Sequence, residues 1–157
     1  MEGSYHQFLA SIVFRAFALE SFLNHIGEQL FKSWSDLERL SPKGKLNVIA
    51  ETVGLTPDYG KMPWQIEPKL TAIRNKIAHG KNELLRDEQV LSGDVYANEM
   101  IAMLKADWQL FATSENSALV QQQVENLMMQ LWLASGFELQ SLFRSGMQHG
   151  STEIISK

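Results

Sequence analysis

The chain has 157 residues, the size of one ordinary domain and enough to bury about 70% of the surface its unfolded form would expose. Apolar residues are 45% and charged residues 20% of it, a globular composition that excludes a disordered, collagen-like or low-complexity chain. The absence of cysteine removes disulfide scaffolds, thiolate metal sites and thiol nucleophiles together, and a net charge of -4 argues against a protein that coats polyanions without specificity.

Residues 5–32 place Tyr5, Phe8, Leu9, Ile12, Ala16, Leu19, Leu23, Ile26 and Leu30 at helical spacing for about seven turns. A long first helix is predicted. Val13, Phe14, Phe17 and Phe22 add apolar surface away from that stripe, more than one packing face needs, so the helix is expected to be central or shared with a second subunit. Arg15 and Glu20 interrupt the apolar run before it reaches the ~20 residues of a bilayer span, and the N-terminus carries no positive leader. No export signal or membrane anchor is expected, and the location that follows is a reducing cytoplasm.

A polar break covers residues 33–40. Ser41-Pro42 then offers an N-cap followed by proline at the first helical position, Leu46, Ile49, Ala50 and Val53 follow at i, i+3, i+4 and i+7, and Gly54 can close the helix. Residues 55–68 hold three of the four prolines and Gly60, which reads as a connection with one short helical turn near Trp64. A third helix starts near Pro68 and ends at Gly80. Residues 81–94 are polar and poorly periodic, a surface loop. Ala97, Met100, Ile101, Leu104, Trp108 and Phe111 mark a fourth helix, and a fifth runs from about Ser117 to Arg144 with a weak point at Gly136. Strand-like alternation and internal repeats are absent, so the predicted fold is a single all-α bundle of about five helices spanning residues 1–157.

Charge is segregated along this plan. Residues 41–86 hold eight basic residues against four acidic ones, so that segment is +4 and the rest of the chain is -8. Within it, the third helix sets Leu70, Ile73 and Ile77 on a narrow inward stripe. Thr71, Arg74, Asn75, Ala78 and His79 fill an adjoining arc of roughly 40° to 180° on the same wheel. That arc is polar and floored by small residues. Arg74 offers a planar fork of donors suited to a phosphate, and an imidazole such as that of His79 gives and takes protons around neutrality. RNA carries its own nucleophile in the 2′-hydroxyl. A protein that cleaves it therefore has to supply a group that moves protons and a cation for the charge on the phosphoryl oxygens. Arg74 and His79 lie about 140° apart on one helix, whereas Asn75 and His79 stand at i, i+4, so the geometry improves if two copies of the arc face each other across a dimer.

The run LTAIRNKIAHG at residues 70–80 resembles the R-x4-6-H signature of the HEPN superfamily (higher eukaryotes and prokaryotes nucleotide-binding domains), in the form R-N-x-x-x-H, within its RiboL-PSP-HEPN or toxin-like ribonuclease group. The likeness extends over ALESFLNHIG in the first helix and Pro-Lys-Gly-Lys-Leu in the second, roughly residues 5–85. Members of this family are α-helical dimers. Many are metal-independent endoribonucleases acting in toxin–antitoxin, antiviral or RNA-processing systems, and others are binding or scaffolding modules without nuclease activity. The resemblance implies Arg74 and His79 as the catalytic pair and Asn75 as the polar residue that commonly follows the arginine.

Other residues admit two readings. Lys69, Lys76, Lys81 and Arg86 serve either as RNA-backbone contacts or as ordinary solvated charges. Glu20 and Asn24, at i, i+4 on the first helix, either buttress the site or form a polar layer at a dimer seam; His25 joins the same polar interruption. A histidine bonding the last carbonyls of its helix would account for His79 taken alone. The four histidines lack ligand spacing, so neither a metal site nor a cofactor is expected. Expected partners are a second copy, RNA and an antitoxin protein, with a non-catalytic nucleotide- or protein-binding dimer module as the alternative.

Overall fold

The computed structural model describes residues 2–79 and 107–138. Those residues form six helical segments: α1 (Glu2–Leu30), α2 (Trp34–Leu37), α3 (Pro42–Thr52), α4 (Ile66–His79), α5 (Asp107–Phe111) and α6 (Ser114–Ala134). No strand occurs among them. The all-α bundle with a long first helix is therefore the architecture observed.

α1 is the axis of the bundle. It packs against α2, α3, α4 and α6, and its buried stripe is Ile12, Ala16, Leu19, Phe22, Leu23 and Ile26. The 26-residue stretch Tyr5–Leu30 is long and apolar enough to cross a membrane by length and composition. Here its stripe meets the apolar faces of the other helices, with Leu46, Ile49 and Ala50 from α3, Ile66 and Leu70 from α4, and Val120, Val124, Leu127, Leu131 and Trp132 from α6. Of the surplus apolar residues, Phe22 turns inward, while Phe14 and Phe17 remain 69% and 49% exposed.

The ends of α3 follow the local chemistry of the sequence. Ser41 Oγ accepts the Gly44 amide at 3.2 Å, Pro42 occupies the first turn, and Gly54 closes the helix at φ 76°. α4 begins at Ile66, two residues before the expected start, with Pro68 inside the first turn where its missing N–H costs nothing. The break at 33–40 contains more than a turn. Its short α2 buries Trp34 against Gly27 of α1, where any added Cβ would overlap the indole ring. The connection into α4 buries Trp64 and includes a cis peptide between Met62 and Pro63.

The last described helix differs from its predicted extent. α6 begins at Ser114 with Thr113 Oγ1 accepting the Asn116 amide at 3.1 Å, and it ends at Ala134. Gly136 then adopts φ 75°, a conformation that breaks a helix, so the predicted run through residue 136 is not continuous. The loop at 81–94, the fourth helix before residue 107, Lys81, Arg86 and the stretch beyond residue 138 lie outside the described residues.

Candidate functional site

α4 has two faces and two halves. Its first turns are sunk in the core through Ile66, Glu67 and Leu70. Ile73 and Ile77 continue the inward stripe only partly buried, and Asn75, Lys76, Ala78 and His79 are exposed. Arg74 sits where these regimes meet, with 24% of its side chain exposed.

Arg74 does not project freely. Its Nη1 donates to Glu20 Oε2 of α1 at 2.6 Å, and its guanidinium carbon lies 6.0 Å from the centre of the half-exposed Phe17 ring. Glu20 is in turn pinned from the other side, since Lys45 Nζ of α3 lies 3.6 Å from Glu20 Oε1. Only 4% of the Lys45 side chain is exposed, so its ammonium cannot be left without a counter-charge. A buried lysine thus fixes a carboxylate, and the carboxylate fixes the guanidinium. Three helices meet at this chain of charges. The short Arg74–Glu20 contact has charge-assisted geometry and limits the rotamers open to Arg74.

Beneath it lies a second carboxyl, Glu67, 2% exposed. Thr71 Oγ1 donates to Glu67 Oε1 at 2.8 Å, one helical turn along α4. Among the described residues Glu67 Oε2 has no hydrogen-bond partner, and neither has the buried Asn24 Oδ1 one turn beyond Glu20 on α1. Burial pushes the Glu67 carboxyl above the usual carboxylate range, against the opposing effects of the Thr71 hydroxyl, Lys43 and Arg74, while Glu20 adds to the rise. At the rim, Lys43 Nζ stands 4.4 Å above the Tyr59 ring, and Tyr59 Oη donates to Asn47 Oδ1 at 2.7 Å. Burial, with the Glu67 charge second, pushes the Tyr59 hydroxyl up to about 12.

Of the residues singled out from sequence, Arg74 is tied into this cluster and Thr71 supports its floor. Asn75 and His79 are exposed on the last turns of α4 and make no hydrogen bond or ion pair among the described residues. No hydrogen bond joins Arg74 to His79 within the chain. Lys69 and Lys76 are exposed along the same helix. Of the polar interruption on α1, Glu20 takes the buttressing position. His25 stacks on Trp132, with ring centres 6.1 Å apart, and shares a 2.7 Å hydrogen bond with Gln29. Among the described residues no group of three or more His, Asp or Glu side chains is placed to hold a metal ion.

Sequence reasoning did not single out Lys45 or Glu67, yet both left a signal. Lys45 lies one turn before Ile49, and Glu67 precedes Leu70 and Thr71 at i+3 and i+4, so each is on a core-facing stripe where a charge needs a partner. Comparison of the chain with family models, with curated proteins and with solved structures returns no match.

Proposed function

We propose that the protein is a metal-independent endoribonuclease of HEPN type, acting as a homodimer in the cytoplasm in a toxin–antitoxin, antiviral or RNA-processing setting. The observation that carries it is one part-exposed guanidinium, braced from behind by Glu20 and Lys45, on the same helix end as the open side chains of Asn75 and His79. Arg74 meets a backbone phosphate with the donors that Glu20 does not occupy, and stabilises the charge that develops on the phosphoryl oxygens. The 2′-oxygen attacks phosphorus and gives up its proton, the bond from phosphorus to O5′ breaks, and O5′ takes a proton. The products are a 2′,3′-cyclic phosphate and a 5′-hydroxyl. His79 serves these proton transfers, and Asn75 orients it or the phosphate.

A composite site answers the angular separation of Arg74 and His79 on one helix. Phe17, exposed on α1 beside Arg74, and the exposed Phe14 one turn before it on the same helix give a second copy an apolar surface to cover. Lys69 and Lys76, exposed along α4, would follow the RNA backbone, joined by Lys81 on its position in the sequence alone.

RNA cleavage by the purified protein in EDTA, beside Arg74→Ala and His79→Ala, tests the reading. Loss of cleavage in both variants with unchanged circular dichroism is the expected result. Equal cleavage by all three proteins overturns it.

A second reading has two specific observations in its favour. Arg74 already has an anion in hand, at 2.6 Å, and the chain outside residues 41–86 is strongly acidic. Both fit a non-catalytic dimer module that binds a nucleotide or a protein such as an antitoxin. Overexpression that harms the host until His79 is replaced favours the enzyme; harmless overexpression favours the module.

A further inference from the structure

Glu67 is the one buried carboxyl among the described residues, and it has no cation of its own within ion-pair distance. Among the described residues its only hydrogen bond comes from Thr71, on Oε1, and Oε2 has no hydrogen-bond partner. An ionised carboxylate so placed would be a desolvated charge hydrogen-bonded by a single hydroxyl, with Lys43 and Arg74 acting on it only from beyond ion-pair distance. The neutral acid leaves one O–H without an acceptor, which costs far less. The charged and titratable groups facing it are Glu20 from α1, Lys43 from α3, Tyr59 from the connection at 53–65 and Arg74 from α4. Lys45 reaches the group through Glu20.

The charge balance of the buried part then depends on one proton. With Glu67 neutral, the single carboxylate of Glu20 is shared by Lys45 and Arg74, and the three sum to one positive charge. With Glu67 ionised the sum is zero. An ionised Glu67 also draws on the Arg74 guanidinium and repels Glu20, the two groups whose contact aims Arg74.

We propose that Glu67 is a positioning residue, held as the neutral acid so that Arg74 stays on Glu20 and the cluster keeps one uncompensated positive charge for an incoming oxyanion. This rests on the ribonuclease reading only in taking that oxyanion to be an RNA phosphate. Oxyanion affinity at Arg74 falls as pH rises through the titration of Glu67. By reciprocity, a bound oxyanion raises the pH at which Glu67 gives up its proton.

The test follows the side-chain carboxyl carbon of Glu67 by NMR through a pH titration of the full chain, assigned with Glu67→Gln. The probe is sulfate, whose own charge does not change over the range, added at constant ionic strength in a His79→Ala background so that the response is read without the His79 side chain. The expected midpoint lies above that of an exposed glutamate and moves up with sulfate, about one unit for each tenfold preference of sulfate for the protonated form. Arg74→Gln raises the midpoint of the free protein and abolishes the response to sulfate, and Glu20→Gln lowers it. In Glu67→Gln, sulfate affinity no longer falls across that range. A midpoint in the ordinary carboxylate range, or one that sulfate leaves in place, overturns the proposal. RNA left intact by a wild-type protein whose Glu67 does respond to sulfate overturns the ribonuclease reading and leaves this one standing.

Discussion

The two halves of α4 carry the same amphipathic pattern and have opposite fates. In the first half, Ile66, Glu67 and Leu70 are buried and Thr71 is engaged with Glu67. In the second, Asn75, Ala78 and His79 face outward. The difference comes from their surroundings, because α1 and α3 close over the first turns and leave the last ones open. Arg74 straddles the boundary and is held by Glu20 of α1. A guanidinium anchored in a core and an imidazole free at a helix end are two kinds of functional group: the first brings fixed geometry, the second brings access.

That comparison breaks most sharply through activity. His79→Ala is expected to lower RNA cleavage by about 10²–10⁴-fold, the range of a lost proton-transfer group. Its thermal midpoint should stay at the wild-type value, since the side chain is exposed and makes no hydrogen bond or ion pair among the described residues. Arg74→Ala should lose activity to a similar degree and also melt earlier, because Glu20 and Lys45 lose the third member of their cluster. Cleavage assays beside thermal scans check both. If His79→Ala unfolds the protein, the contrast between the two halves fails.

In the buried half the readout is stability alone. Leu70→Ala empties a fully packed position facing α1 and is expected to cost about 2–5 kcal/mol in urea unfolding. Ala78→Ser, on the open arc, should cost less than about 0.5 kcal/mol. Glu20→Ala is expected within the range of Leu70→Ala. It strands the buried Lys45 ammonium, at a cost of about 3 kcal/mol, near the lower end for a broken buried pair because Glu20 itself is partly solvated. Lys45→Met with Glu20→Leu should recover much of that loss in the same unfolding assay, since a packed apolar pair replaces the ions without leaving a charge behind.

How much of this was legible in the sequence depends on whether a feature is local. Ser41-Pro42 and Gly54 bound α3 as read, because capping chemistry acts within a few residues. The apolar stripe of α1 was legible for the same reason. α2 was not, since four residues cannot display a period, and its reason for existing is the fit of Trp34 onto Gly27. The cluster was half legible. Arg74, Asn75 and His79 stand out by spacing along one helix. Glu20, Lys45 and Glu67 come from three helices, and no periodicity within one segment reports a pairing such as Arg74 with Glu20, 54 positions apart. A charge on a core-facing stripe was the available clue, and ordinary amphipathic reading assigns such charges to solvent.

A pH-dependent effect separates a structural Glu67 from one that titrates within the cluster. Burial raises its carboxyl in the folded protein above the value it has in the unfolded chain. Between those two values the folded form keeps a proton that the unfolded form has lost. Stability therefore falls as pH rises through that window: the contribution is fully present below the unfolded value and lost above the folded one. Each unit separating the two values is worth about 1.4 kcal/mol. Glu67→Gln keeps the shape and the Thr71 hydroxyl bond but has no proton to lose, so its unfolding free energy should match the wild type in acid and exceed it progressively toward alkaline pH. Parallel urea curves at a series of pH values check this. Two parallel stability profiles would mean that Glu67 gives up its proton at the same pH in the folded and the unfolded chain, so that above the ordinary carboxylate range its charge would offset the net positive charge of Glu20, Lys45 and Arg74.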